Sequence, residues 1–119
     1  MRINDSEYGG FIVSKNVKKG RPIRYSFREN PTIPGLNGWT IYSCDDDQQF
    51  IENSSNFIIL GAKSIYKIAP VMLAIYNAPF GTDLCWLYES DVHVCFYDLK
   101  RDKETTIEEI LTPNDVNIQ

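Results

Sequence analysis

The sequence has little of what enzymes and metalloproteins usually need. It contains one histidine, His93, and three cysteines that form no C-x-x-C pair. A lone histidine excludes multi-histidine metal sites, and an odd number of cysteines argues against a disulfide framework. Gly9-Gly10 lacks the G-x-G-x-x-G spacing of a phosphate-binding loop. These absences predict a protein that is not an enzyme and that holds no metal and no cofactor.

Long apolar runs are missing as well. The longest extends from Ile68 to Tyr76 and is interrupted by Pro70, whereas a helix that crosses a bilayer needs roughly 20 apolar residues. The first residues are mostly polar, and the apolar segment of a signal peptide does not follow them. We therefore expect a soluble, cytoplasmic protein with no membrane partner.

What the sequence does contain is the composition of an ordinary globular domain. Of its 119 residues, 43% are hydrophobic, 24% are charged and 13% are aromatic. Such a composition excludes disorder or coiled coil as a description of the whole chain. Neither an internal repeat nor a Pro/Gly/Ser-rich linker divides the sequence. We predict a single domain over residues 1–119.

Local patterns predict a mixed fold. Strict alternation over residues 22–28 predicts a strand with Ile23, Tyr25 and Phe27 on one face. Further strands are expected in the runs 11–13, 39–42, 56–60, 82–88 and 92–97, the last two as a hairpin. Short helices are expected after Asp45, over 64–69, over 71–76, and after Thr105-Thr106, where Pro113 would end the last one. The predicted class is α+β, a largely antiparallel sheet with a few short helices.

Charge is unevenly distributed along the chain. The net charge is −4, but residues 1–30 hold seven Lys or Arg against three Asp or Glu, so the other 89 residues carry −8. This charge balance argues against nucleic acid as a partner, because phosphate binding needs a positive footprint. A basic protein is easier to accommodate, since opposite fields accelerate encounter.

Few residues offer chemistry. Asp45-Asp46-Asp47 with Glu52 is the densest acidic feature, and it is either a solvated helix N-terminus or a surface that docks a cationic partner. His93 and Cys95 would share one face of a regular strand, so a hydrolase using this pair is a further hypothesis, although alternation places His93 more naturally toward solvent. Trp39 and Trp86 are either core anchors or exposed contact residues.

Several short motifs occur together in a distinctive order. They are Gly9–Val17, Asn37-Gly38-Trp39 followed by Cys44–Asp47, Ile68-Ala69-Pro70, and Ala78–Thr82. This order resembles a small bacterial family catalogued as domain of unknown function 2185 and grouped with the type-33 immunity proteins of polymorphic toxin systems. The resemblance spans roughly residues 9–98. It implies a cytoplasmic protein that binds a cognate toxin and blocks it.

The resemblance and the charge together predict two sets of residues. The expected partner-binding residues, which would contact a basic toxin, are Asp45, Asp46, Asp47, Glu52 and Trp39. The residues expected to serve turns or the fold are Gly9, Gly10, Ser14, Gly38, Pro79 and Gly81. The alternative is a small-molecule-binding or regulatory domain with a pocket near Trp39 and Trp86.

Overall fold

A computed structural model describes residues 3–112. Within that range the chain forms seven strands and six short α-helices. The strands are β1 (Gly10–Ser14), β2 (Ile23–Arg28), β3 (Leu36–Ser43), β4 (Phe57–Leu60), β5 (Asp83–Glu89), β6 (Val92–Asp98) and β7 (Lys103–Thr105). The helices are α1 (Asp5–Tyr8), α2 (Lys15–Lys18), α3 (Gln48–Ile51), α4 (Ala62–Ile68), α5 (Pro70–Ala74) and α6 (Ile107–Leu111), with a 3₁₀ turn at Ser54–Asn56.

All seven strands join one sheet in the order β4-β1-β3-β2-β5-β6-β7. Five of the six neighbouring pairs are antiparallel, and only β1 and β3 run parallel. The predicted α+β class with a largely antiparallel sheet is confirmed. The parallel pair was not predicted, because the choice of neighbours depends on contacts between segments far apart in sequence.

Local chemistry accounts for several element ends. Ser90 and Asp91 turn the β5–β6 hairpin with φ values of 49° and 67°, as a two-residue type I′ turn requires. The Thr106 side chain accepts a hydrogen bond from the Glu109 backbone N–H, and the Glu109 carboxylate accepts one from the Thr106 N–H. This capping box starts α6. The predicted stop at Pro113 lies outside the described residues.

Two local predictions were wrong, and one helix was not predicted. Helix α2 begins at Lys15, with Ser14 as its N-cap. Asp45 was expected to cap the acidic helix, but Asp47 caps it, because the Asp47 carboxylate is the one that reaches a free N–H of the first turn. A bulge in β2 also separates Ile23 from Tyr25 and Phe27, so Ile23 enters the core while the two aromatic side chains lie on the other face.

The main core lies on one face of the sheet. Phe11, Trp39, Ile41, Leu84 and Trp86 project from the strands onto that face and are buried. Helices α4, α5 and α6 cover them and contribute Ile65, Met72 and Ile110 to the same cluster. Ile75, at the C-terminal end of α5, belongs to it as well. Among the described residues, the opposite face carries only α3 and the 3₁₀ turn, and its side chains are mostly half-buried. We call this second surface the open face.

Candidate functional site

A line of aromatic side chains crosses the open face. Tyr25 lies opposite Tyr42 in the β2–β3 pair. The Phe27 and Tyr42 ring centroids are 5.4 Å apart, and the Tyr42 and Phe57 centroids are 5.5 Å apart. From α3, Phe50 reaches within 6.2 Å of Phe57. These separations are those of favourable tilted and edge-to-face contacts, so the rings form a cohesive apolar surface that remains half open to solvent.

The acidic turn at the end of β3 is held in place by its own carboxylates. Asp46 accepts hydrogen bonds from Asn16 Nδ2 and from the Ser43 backbone N–H, both at 2.8 Å. Asp47 Oδ1 accepts one from the Phe50 backbone N–H at 2.8 Å. These bonds place Asp46 and Asp47 beside the aromatic line.

Asp45 has a different partner from its two neighbours. Its carboxylate accepts hydrogen bonds from Arg21 Nε at 2.5 Å and Arg21 Nη2 at 3.3 Å. The bond with Arg21 lowers the pKa of Asp45, and the bond with Asp45 raises the pKa of Arg21. Both side chains are well exposed, and exposed pairs of this kind add little stability. The negative charge of Asp45 is therefore partly neutralised on the surface.

A groove of about 410 Å³ runs between the aromatic line and the acidic turn. Tyr25, Phe27 and Tyr42 line it together with three carboxylates, those of Asp46, Asp47 and Asp83, and none of the residues between 3 and 112 that line it is basic. Burial raises the pKa of Tyr42, and the negative charges of Glu29 and Asp46 raise it further. The groove is thus apolar at its floor and negative at its rim.

A second, smaller depression continues from this groove. It measures about 240 Å³ and is lined by Tyr42, Phe57 and Glu52, among others. Glu52 is exposed and accepts a hydrogen bond from Gln48 Nε2 at 3.0 Å. The structure thus gathers Asp46, Asp47 and Glu52 around one aromatic surface, with Asp45 turned toward Arg21.

Trp39 does not belong to this surface. Its side chain is fully buried in the core, and its Nε1 donates a hydrogen bond to the Tyr76 carbonyl oxygen at 3.0 Å. A partner that docks on the folded protein does not touch it. The inclusion of Trp39 among the partner-binding residues was therefore wrong, because a large aromatic at alternating spacing in a strand can face either side.

Asp83 is the site residue that the sequence analysis missed. It lies directly opposite Phe27 in the β2–β5 pair, so its carboxylate stands next to the Phe27 ring on the open face. Residues 27 and 83 are too far apart in sequence for any local pattern to join them. The pairing of β2 with β5 was the signal required.

The residues predicted to serve the fold occupy turns and close approaches. A Cβ on Gly10 would lie 2.7 Å from Ile59 Cγ2, so any other residue there would have to displace the Ile59 side chain. Gly38 has a φ of 92°, and a Cβ there would overlap the Glu29 carbonyl oxygen. Buried Ser14 accepts a hydrogen bond from the Asn16 N–H at 3.1 Å.

The remaining three of these residues mark the ends of segments. Gly9 ends α1, and its N–H donates to the Asp5 carbonyl oxygen at 3.0 Å. The Pro79 carbonyl oxygen accepts a hydrogen bond from Thr82 Oγ1 at 2.7 Å. The Gly81 N–H donates to the Arg28 carbonyl oxygen at 2.6 Å, which ties the turn before β5 to β2.

His93 and Cys95 lie on opposite faces of the sheet. A bulge in the β5–β6 pair makes Tyr88 the partner of His93 and Leu87 the partner of Cys95, so the two side chains no longer share a face. The His93 ring packs 4.6 Å from both Trp86 and Phe96, measured between centroids. Cys95 Sγ lies 3.9 Å from Glu104 Oε1, and lost hydration followed by the charge of Glu104 raises its pKa. The expectations of a solvent-facing His93 and of a possible His93–Cys95 dyad were both wrong.

The described residues form neither a membrane-spanning helix nor a cluster of metal ligands. Among residues 3–112, no helix is long and apolar enough to cross a membrane. Over the same range, no group of three or more His, Cys, Asp or Glu side chains is arranged to hold a metal ion.

Comparison with known proteins identifies the family. No curated protein and no solved structure matches the chain. The family described as the Immunity protein Imm33 domain matches residues 11–95, which is more than two thirds of the chain and almost the whole span of the resemblance noted in the sequence. The match includes β1 through most of β6, and with them the aromatic line and the acidic turn. The chain therefore belongs to the Imm33 immunity protein family.

Proposed function

We propose that the protein neutralises a basic toxin by direct contact, and that the contact is made through the acidic open face. Membership of an immunity protein family indicates a toxin-neutralising role with a toxin protein as partner. The observation that supports the finer proposal is the arrangement of exposed Asp47 and Glu52 around half-buried aromatic rings. Aromatic side chains supply contact area, and the carboxylates select and orient a cationic surface.

The proposed mode of action is stoichiometric binding without catalysis. The one histidine packs against aromatic rings on the helix-covered side, and its nearest cysteine in sequence lies on the other face. A nucleophile activated by a neighbouring base needs both groups within hydrogen-bond reach, which this arrangement does not provide. Occupation of the toxin surface, in the cytoplasm where such immunity proteins are thought to act, is then sufficient for the role.

The partner is identified first, and then the surface is tested. Tagged protein captures the toxin from its native lysate at low and high salt, and mass spectrometry names it. With the purified toxin, association rates are measured for the wild type and for the triple variant Asp45→Asn, Asp47→Asn, Glu52→Gln. Asparagine at 47 retains an N-cap oxygen, so α3 is preserved while its charge is removed.

The matched control removes three exposed charges elsewhere, by Glu7→Gln, Asp91→Asn and Glu108→Gln. We expect the triple variant to associate about tenfold more slowly at low salt, with the difference vanishing at high salt, and the control to change little. Equal slowing in both variants would mean that only net charge matters. No slowing in either would place the contact on another surface.

The alternative of a small-molecule site has one supporting observation. A cleft of about 230 Å³ on the other side of the sheet is lined by Trp86, Tyr88 and His93. Trp86 is one of the two tryptophans near which such a pocket was expected. This volume is below the range of most ligand pockets, and Trp39 does not line the cleft. A ligand that binds there would raise the melting temperature, whereas the variant Trp86→Phe would show a smaller rise.

A further inference from the structure

We infer that the groove of the open face receives a single arginine side chain of the toxin. The inference rests on the proposed function and deepens it, because it replaces a general attraction between surfaces by one anchor residue and its receptor. It depends on the strand register, on the charges that line the groove and on the aromatic floor.

The strand register and the acidic turn together place negative charges around an aromatic floor. Phe27 lies between Thr40 of β3 and Asp83 of β5, and side chains opposite each other in antiparallel strands have Cβ atoms about 5 Å apart. Asp46 and Asp47 line the groove from the acidic turn. A cation above the Phe27 and Tyr42 rings therefore meets carboxylates from two directions.

The carboxylates differ in how far the fold already uses them. Both oxygens of Asp46 accept hydrogen bonds from Asn16 and Ser43. Asp47 uses Oδ1 for the helix cap. The side chain of Asp83 makes no hydrogen bond and no ion pair with residues 3–112, although it is half-buried. Because no described residue occupies the Asp83 carboxylate, both of its oxygens can accept N–H groups of a cation that enters the groove.

Arginine fits these surroundings better than lysine. A guanidinium is planar and weakly hydrated, so it stacks on an aromatic ring while its edge N–H groups reach carboxylates at its sides. An ammonium is compact and strongly hydrated, and loses more on leaving water. The same face already holds such a contact, since the Arg24 guanidinium carbon lies 5.6 Å from the Tyr25 ring centroid. Arg24 is not among the residues that line the groove.

The first test uses a small probe of the anchor alone. N-acetyl-arginine amide is titrated to tens of millimolar into isotopically labelled protein, and N-acetyl-citrulline amide serves as the neutral isostere. We expect saturable NMR shifts at Phe27, Tyr42 and the α3 amides with arginine and none with citrulline. We expect Asp83→Asn and Phe27→Leu each to weaken binding at least about threefold, and Asp91→Asn to leave it unchanged. Equal shifts with both probes, or none with arginine, would overturn the inference.

The second test separates this inference from the proposed function. With the purified toxin, Asp83→Asn and Phe27→Leu are expected to raise the dissociation rate about tenfold, as loss of an anchor does, while the triple surface variant slows association. Unchanged dissociation in both groove variants would overturn the anchor even if the triple variant associates slowly. If the arginine probe binds the groove but the triple variant associates at the wild-type rate, the proposed contact through the acidic open face is wrong, whereas the groove is still an arginine-binding site. Asp83→Asn is nearly isosteric, so it still tests the anchor if Phe27→Leu fails to fold.

Discussion

Single residues explain where this fold tolerates no change. Gly38 precedes Trp39 in β3, and its carbonyl oxygen accepts a hydrogen bond at 2.9 Å from the backbone N–H of Glu29, the residue that follows β2. A positive φ and a close backbone approach act on the same residue there. A side chain at position 38 would therefore cost stability twice, through backbone strain and through steric overlap.

We predict that Gly38→Ala destabilises the protein far more than Gly20→Ala. Gly20 has a φ of 101° but nothing within 4 Å of an added Cβ, so alanine there adds only backbone strain of about 1 kcal/mol. Alanine at 38 adds a collision with the Glu29 backbone, and we expect a total above about 3 kcal/mol. Urea unfolding of both variants measures the difference. Similar losses would show that β2 and β3 separate locally at little cost.

The residue scale also includes one titrating group. His93 Nε2 is buried and has no hydrogen-bond partner among residues 3–112. Burial lowers the pKa of His93 from its ordinary 6.5, and a hydrogen bond with the Cys95 backbone opposes part of that shift. The groups packed on it are the rings of Trp86, Tyr88 and Phe96, and exposed Glu108 lines the neighbouring cleft. The neutral imidazole is thus the form that the folded state prefers.

We therefore predict that His93 makes the protein less stable in mild acid. Because the native pKa lies below the unfolded one, the unfolded chain takes up the proton first as the pH falls below about 6.5. The contribution is complete above that pH and is lost as the pH falls toward the native pKa. Urea unfolding between pH 7.5 and 5 should show the free energy of unfolding of the wild type falling relative to that of His93→Gln. The variant contains no histidine, because His93 is the only one in the sequence. Parallel curves for the two proteins would contradict this.

At the scale of elements, the sequence predicts what is decided locally. The strand at β2, the β5–β6 hairpin and the helix after Thr105-Thr106 each involve residues within one or two turns of each other, and each formed where expected, although a bulge interrupts the alternation of β2. The acidic helix also formed, although its cap is Asp47. Such features were within reach because their energetics are local.

The elements that sequence reasoning missed depend on tertiary contacts. Bulges in β2 and β6 reverse which side chains face the core, and one extra residue is invisible in a pattern of alternation. They move Ile23 into the core and separate His93 from Cys95. The groove was likewise unpredictable in full, because Asp83 reaches Phe27 only through the pairing of β5 with β2. Sequence reasoning found the carboxylates of the turn but neither the aromatic floor nor the opposite wall.

The whole molecule is a sheet with two unlike faces. One face is covered by α4, α5 and α6 over a continuous core. Within residues 3–112, the other face carries only α3, which is four residues long, and a 3₁₀ turn. A four-residue helix has few internal hydrogen bonds and depends on its cap and on Phe50 packing against Phe57. The proposed contact surface on the open face therefore includes a helix of low intrinsic stability.

This asymmetry predicts how amide hydrogen exchange responds to the toxin. In the free protein, exchange should be slowest in β3 and β2, which are paired on both sides, and fast in α3 and in the edge strands β4 and β7. A toxin on the open face restrains α3 and the acidic turn, so exchange at residues 45–52 should slow at least about tenfold, because binding the folded form suppresses its local opening. Exchange in α4 and α5 should stay as it is, since the sheet and core separate them from the contact. Slowing in α4 and α5 without any in 45–52 would place the toxin on the helix-covered side, and the carboxylates of the acidic turn would then serve only to hold α3.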